Sequence, residues 1–135
     1  MVPITAPPIA DGAVLIDGDG RLLAVGPNDS VPHPGEVATE TFPQAVLIPG
    51  LVNTHTHLEL TGLGPPPTIP DFVTWITRLR QQKAERSAEA FDAAARQGVR
   101  DCWAAGVTTV ADTGDTGSVL RALHALGGSG ICYQE

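Results

Sequence analysis

Residues 49–60 read PGLVNTHTHLEL, and this run sets both the architecture and the chemistry that the sequence predicts. Side chains alternate between the two faces of a β-strand, so His55 and His57 should share one face while Thr56 points to the other. At a rise of about 3.3 Å per residue, the two histidine Cα atoms lie about 6.5 Å apart. Imidazoles at that spacing can bind one ion at about 2.0–2.1 Å. We interpret His55 and His57 as metal ligands, with a chance pair of exposed histidines as the alternative.

Downstream of this pair the sequence alternates between strand and helix patterns. Strands are predicted at 51–55, 107–111 and 131–133, and a Gly/Pro-rich loop at 62–70 is long enough to form a pocket wall. Helices are predicted after the N-caps Asp71 and Ser87, the second ending at Gly106, and at 117–126. Such alternation implies parallel strands with right-handed crossovers. A full (β/α)8 barrel needs about 250 residues, so at most its first part is present, with the histidines at the catalytic end of its first strand.

Upstream of the pair the sequence predicts a small β-rich region. Two apolar runs, 13–16 and 21–25, flank an Asp/Gly turn, which is typical of a hairpin. Several prolines make 26–43 a loop, and a third apolar run at 45–48 is expected to belong to the same sheet. We place a domain boundary at Pro49-Gly50, where the chain turns from one sheet into another.

Composition excludes several classes of function. The chain has 135 residues, with 8 basic against 15 acidic side chains and a net charge of -7, which argues against a nucleic-acid binder or a membrane-surface anchor. A hydrophobic content of 42% with no long apolar run and no signal peptide predicts a cytoplasmic globular protein with no membrane partner. The basic residues between Arg78 and Arg100 are mixed with acidic ones and are interpreted as a solvated helix face.

Three motifs in order resemble the amidohydrolase superfamily. Residues 46–57 resemble its metal-ligand signature, in the branch of cytosine deaminase-like and chlorohydrolase-like enzymes. Residues 9–16 and 20–27 resemble its N-terminal β-sandwich, and residues 105–110 resemble its second barrel strand. Within the branch, residues 57–60 and Phe72-x-x-Trp75 are similar to aminofutalosine deaminase and its relatives.

This resemblance implies an α/β fold in which part of a small β-sandwich, residues 1–49, precedes the first strand-helix units of a (β/α)8 TIM-type barrel, residues 50–135. It also implies an N-terminal fragment of a longer enzyme, inactive alone, because the family takes its other metal ligands and its proton-transfer residue from later barrel strands. The remaining histidines, His33 and His124, match no ligand position of the family.

The function implied by the resemblance is metal-dependent hydrolysis of a carbon–nitrogen bond outside peptides. The expected reaction is deamination of a small-molecule substrate, a cyclic amidine or a nucleoside-like compound. The expected cofactor is one divalent ion, zinc or alternatively iron, since imidazole suits both. Hydrolysis of a cyclic amide, as in imidazolonepropionase or dihydroorotase, is an alternative, and so is an inactive remnant or binding module. Oligomeric state is left open, with a homodimer of the full-length protein as one option.

Each of three further residues near the predicted site has two alternative interpretations. Glu59 contacts substrate or is a carboxylate bonded to the surrounding loops. Trp75 lines the pocket mouth as a substrate-binding residue or packs in the core, as aromatic residues at helical spacing usually do. Asp112 ends the second predicted parallel strand on the catalytic side of the barrel, where we expect it to form a turn or cap a helix with Thr113.

Overall fold

The structure is a computed structural model that describes residues 1–64, 68 and 71–134. The chain forms two compact units, Met1–Pro49 and Gly50–Glu135. The loop predicted at 62–70 lies partly outside the described residues. The assignment of the two units to a β-sandwich and a barrel stays a prediction.

The first unit contains the predicted hairpin. Strands β1 (Gly12–Ile16) and β2 (Leu22–Pro27) pair antiparallel, with Val14 opposite Val25. Asp17 closes the turn because its Oδ1 accepts the backbone N–H of Asp19 at 2.9 Å and of Arg21 at 2.8 Å. The aspartate side chain thus accepts hydrogen bonds from backbone N–H groups that a tight turn leaves without a backbone partner.

The prediction that residues 45–48 belong to this sheet is wrong. The segment is irregular, and its apolar side chains Val46, Leu47 and Ile48 are exposed. It accepts one backbone hydrogen bond from a distant residue, from Val2 N–H to Leu47 O at 2.9 Å. A β-strand needs a ladder of such bonds, and apolar composition alone does not supply the partner.

The second unit has the predicted alternation. Three parallel strands, β3 (Leu51–Thr56), β4 (Val107–Gly114) and β5 (Ser129–Gln134), lie in that order in one sheet. A 3₁₀ turn (Leu58–Leu60) and the helices α1 (Phe72–Ala84) and α2 (Ala88–Ala104) connect β3 to β4, and α3 (Ser118–Leu126) connects β4 to β5. Among the described residues, no helix is both long and apolar enough to cross a membrane.

The predicted helix ends are confirmed by their hydrogen bonds. Asp71 Oδ1 accepts the Thr74 N–H at 2.8 Å at the start of α1, and Ser87 Oγ accepts the Ala90 N–H at 3.2 Å at the start of α2. Gly106 follows the last residues of α2 with a φ of 79°, which a glycine adopts without steric cost. Local sequence therefore determines where these two helices begin and where α2 ends.

One apolar core joins α2 and α3 to the sheet and to the 3₁₀ turn. Its buried members are Leu58, Ala95, Val99, Val110, Val119, Ala122 and Leu123. Leu58 immediately follows His57, so the chain leaves the candidate site directly into the core. Helix α1 contributes no buried residue, and Phe72 and Val73 on it are exposed.

The close approach of α2 to the 3₁₀ turn requires a glycine. A Cβ placed on Gly98 would lie 2.5 Å from Thr61 Oγ1 and 3.1 Å from Leu58 Cβ. Contacts this short force the turn or the helix to move. Gly98 therefore sets how near α2 lies to the segment that follows the histidine pair.

We expect Gly98→Ala to destabilise the chain by about 1 kcal/mol, the middle of a net range of about 0–2 kcal/mol. Alanine favours a helix over glycine by about 1 kcal/mol, but overpacking a tight contact costs about 1–3 kcal/mol. Urea unfolding measures the change. In a double-mutant cycle with Thr61→Ala, the pair should lose less than the sum of the two single losses. A stabilised Gly98→Ala variant would show that the turn yields freely.

Candidate metal site at the end of the first parallel strand

The structure brings the two predicted metal ligands together. His55 lies near the C-terminal end of β3 and His57 follows that strand, and both side chains are exposed while Thr56 between them is 8% exposed. The two imidazole centres are 5.1 Å apart and their planes cross at 81°. The alternation expected of a strand therefore holds through this segment.

The separation of the rings fits a shared ion. Two imidazoles that bind one tetrahedral Zn²⁺ at about 2.0–2.1 Å hold their ring centres about 5 Å apart. In the part of the chain that the structure describes, no cluster of three or more His, Cys, Asp and Glu side chains is arranged to hold a metal. The two predicted ligands, His55 and His57, would supply two of the three protein ligands that zinc enzymes use.

A buried carboxylate accepts hydrogen bonds from the residues on both sides of His57. Asp112, in β4, is 1% exposed, and its Oδ2 accepts the Thr56 hydroxyl and the Leu58 N–H, each at 2.8 Å. His57 itself leaves the extended conformation, with φ −134° and ψ 67°. The strand therefore ends at His57, and the next peptide group is attached to the neighbouring strand.

The turn or helix-capping role predicted for Asp112 is wrong. Its carboxylate bonds to β3 and the residue after it, and the local neighbours Thr113 and Gly114 belong to the same strand as Asp112. The order of the predicted parallel strands could have indicated this contact. Parallel strands end at the same edge of a sheet, so an aspartate at the end of the second strand lies beside the residues that end the first.

The Glu59 carboxylate is also buried, at 1% exposure, and both of its oxygens have polar partners. It accepts hydrogen bonds from the Thr116 hydroxyl and, at 3.3 Å, from the Thr116 N–H, and it forms an ion pair with Lys83 Nζ at 3.3 Å. Of the two roles left open for Glu59, these contacts correspond to a carboxylate bonded to its surroundings. A substrate contact by Glu59 stays a prediction.

Two cations attach α1 and the residues after it to this edge of the sheet. Lys83 Nζ also pairs with Asp115 at 3.0 Å, and Arg86 donates to the carbonyls of Glu59 at 3.2 Å and Thr61 at 3.0 Å. The interpretation of this basic region as a solvated face is therefore wrong for Lys83 and Arg86. Their partners lie far away in sequence, and the charge pattern of the helix alone does not reveal them.

Trp75 lies beside a cleft next to the histidine segment. The side chain is 37% exposed and so is not in the core, and its ring centre is 5.5 Å from that of Phe72. The cleft has a volume of about 260 Å³, and Leu60, three residues after His57, forms part of its wall. The remaining described residues of the wall are Leu63, Gly64, Trp75, Arg78, Leu79 and Gln82. Trp75 therefore lines a cleft and is not packed in the core, and its contact with substrate stays a prediction.

The fold and the site together define an α/β protein with two imidazoles, 5.1 Å apart, at the C-terminal end of its first parallel strand. The sequence profile of the amidohydrolase family matches residues 46–133, which include the histidine pair and strands β3 and β4. The chain therefore belongs to the amidohydrolase family.

Several relatives of the chain are described as deaminases. A 5-methylthioadenosine/S-adenosylhomocysteine deaminase of Symbiobacterium thermophilum is 26% identical over 133 residues, covering 87% of this chain and 30% of the relative. The enzyme of the same description from Moorella thermoacetica is 41% identical over 64 residues, covering 47% of this chain and 15% of the relative. The chain thus spans less than a third of the length of these relatives.

Solved structures share the fold. Atrazine chlorohydrolase TrzN from Arthrobacter aurescens TC1, complexed with zinc, superposes with a TM-score of 0.63 at 19% identity, covering 90% of this chain and 30% of that one. A triazine hydrolase reaches a TM-score of 0.61 at 16% identity, covering 91% of this chain and 33% of that one. At these identities the likeness concerns the fold alone.

We expect Lys83→Met to lower the free energy of unfolding by about 2 kcal/mol. The variant leaves the Glu59 carboxylate buried without its cation, and the loss lies between the roughly 1 kcal/mol of a surface pair and the roughly 3–5 kcal/mol of a buried one. Adding Glu59→Gln should restore part of the loss, because the neutral amide is cheaper to bury. Arg80→Met on the same helix is the control and should change stability by under about 0.5 kcal/mol.

The same contacts predict a loss of stability at alkaline pH. Burial lowers the pKa of Lys83, but the hydrogen bonds and charges of Asp115 and Glu59 outweigh it, so the pKa lies above its ordinary value of 10.5. A raised pKa means that the charged side chain stabilises the fold fully below pH 10.5 and loses this effect as the pH rises through the higher folded value. Urea unfolding at increasing pH should show the stability gap between the chain and Lys83→Met closing in that range. A gap independent of pH would contradict the ion pair.

Proposed function

We propose that this chain contains the first strand-helix units of a metal-dependent hydrolase that acts on carbon–nitrogen bonds outside peptides. The observation that carries the proposal is the pair of imidazoles, 5.1 Å apart, at the C-terminal end of the first of three parallel strands. Enzymes with barrels of parallel strands build their sites at that end. Membership of the amidohydrolase family, together with deaminases among the relatives, supports the same chemistry.

The proposed architecture is a (β/α)8 barrel that residues 50–135 begin, preceded by part of a β-sandwich in residues 1–49. Strand order β3-β4-β5 follows the chain, as it does in such a barrel. Apolar side chains on the strands, among them Leu51, Ile131 and Tyr133, are exposed in the three-stranded sheet. Further strands would cover such side chains, because exposed apolar area of this kind is normally buried against a partner layer.

His55 and His57 would hold one divalent ion, with zinc the first choice. The zinc complex of the chlorohydrolase with the same fold supports this choice. When bound, the ion lowers the pKa of a coordinated water towards about 7, which makes hydroxide available at neutral pH. The chain's own part would be to present the two imidazoles in a fixed mutual orientation. The proton-transfer residue and the other ligands would come from outside the described residues.

The proposed substrate class is a nucleoside-like compound that loses an exocyclic amine. The relatives are described as deaminases of 5-methylthioadenosine and S-adenosylhomocysteine, which are purine nucleosides with a thioether. The cleft beside Trp75 offers an apolar wall near the histidine pair, with Arg78 and Gln82 as polar groups, and so suits an amphipathic ligand of that kind. We propose Trp75 as the substrate contact on this wall. The likeness to aminofutalosine deaminase stays a prediction.

We expect His55→Ala, and separately His57→Ala, to lower deamination of 5-methylthioadenosine more than about 100-fold in the full-length enzyme. Loss of groups that merely orient a metal ligand already costs about 10–100-fold, so loss of a ligand should cost more. Turnover by ammonia release and metal content by elemental analysis should fall together. The control variants His33→Ala and His124→Ala should retain both. Full turnover after loss of either ring would remove the pair from the mechanism.

A further inference from the structure

We propose that Asp112 is a positioning residue that fixes the orientation of the His57 imidazole relative to His55. This inference rests on the proposed function, since orientation of the pair matters when both rings bind one ion. Asp112 lies on a different strand from both histidines and is not itself offered as a ligand. Its carboxylate acts on the backbone that carries His57.

One oxygen of Asp112 holds the residues on either side of His57. Oδ2 accepts the Thr56 hydroxyl at 2.8 Å and the Leu58 N–H at 2.8 Å, and the carboxylate is 1% exposed. Hydrogen bonds to an ionised acceptor are about twice as strong as those between neutral groups. A segment of three residues is thus attached at both ends to one buried atom, with the His57 side chain left exposed.

Asp112 is itself held in place by the strands on both sides of it. Asp112 belongs to β4, the central strand, and pairs with Thr56 of β3 on one side and Cys132 of β5 on the other. The Leu58 side chain is packed in the core, and Gly98 of α2 lies against it. The backbone after His57 is therefore fixed by a hydrogen bond at its N–H and by apolar packing at the next side chain.

The attachment to Asp112 also restricts the orientation of the rings. A strand that continued in the extended form would have a ψ near +115° at His57, whereas the observed ψ is 67°. This rotation places the Leu58 N–H against Asp112 and ends the strand. The ψ of His57 turns only the chain after it, so the ring is oriented through the φ of His57 and the peptide group before it. Without the bonds from Thr56 and Leu58 to Asp112, both ends of this segment are free to rotate, and the 5.1 Å separation and 81° angle of the rings would change.

The test compares variants of the full chain without metal and with Zn²⁺ alone. Asp112→Ala removes the acceptor, Asp112→Asn keeps an oxygen in its place, and Thr56→Val removes one donor at nearly constant volume. Val99→Ala, in the same core but without contact to the turn's hydrogen bonds, is the control for simple loss of stability. Ring-to-ring nuclear Overhauser effects between His55 and His57 report the orientation, a zinc titration reports affinity, and urea unfolding reports stability.

We expect Asp112→Ala to weaken the nuclear Overhauser effects between the rings of His55 and His57. It should also lower zinc affinity by at least about 10-fold, the usual cost of losing a group that orients a ligand. Asp112→Asn should retain most of both, and Thr56→Val should fall between them. Val99→Ala should lose stability while zinc affinity stays within about twofold.

A folded Asp112→Ala chain with unchanged ring contacts and zinc affinity within about twofold of the parent would overturn the proposal and leave Asp112 a structural residue. If that variant does not fold, the same two readouts on Thr56→Val decide. If the parent chain, which supplies only two ligands, binds no zinc, the ring contacts in the metal-free variants alone decide whether Asp112 positions His57, and the proposed function is tested separately by His55→Ala and His57→Ala in the full-length enzyme.

Discussion

The carboxylate of Asp112 crosses from the central strand to the end of β3 and accepts hydrogen bonds from the residues before and after His57. Because of this attachment, the three side chains after Thr56 point to three different surroundings. His57 faces solvent beside His55, Leu58 enters the core, and Glu59 turns towards Lys83 of α1. If the strand continued, these side chains would alternate between only two faces of the sheet, and they could not reach solvent, the core and Lys83 in turn.

The buried charges near this turn are compensated in two ways. Asp112 is balanced by hydroxyl and peptide donors, whereas Glu59 has a cation, Lys83, in addition to the donors of Thr116. Both arrangements satisfy the rule that a buried charge is paired or hydrogen-bonded. The ion pair of Glu59 also attaches α1 to this edge of the sheet, because Lys83 belongs to that helix.

Helix α1 is held differently from α2 and α3. It has no buried residue, and the contacts of Lys83 and Arg86 at and just beyond its C-terminal end replace the apolar packing that fixes the other two helices. Its N-terminal aromatic residues, Phe72 and Trp75, are correspondingly exposed, and Trp75 faces the cleft that begins at Leu60. The wall of the proposed substrate site is thus attached by polar contacts at one end.

Local patterns in the sequence were enough for the hairpin, the alternation of strands and helices, the caps at Asp71 and Ser87, and the convergence of His55 and His57, because each depends on residues close together in the chain. The run at 45–48 was predicted wrongly because a strand requires a distant partner, which composition does not reveal. The roles of Asp112, Lys83 and Arg86 were decided only by the tertiary structure. Asp112 is separated from Thr56 by 56 positions and Lys83 from Glu59 by 24, and only the pairing of parallel strands and the return of α1 bring such groups within hydrogen-bonding distance.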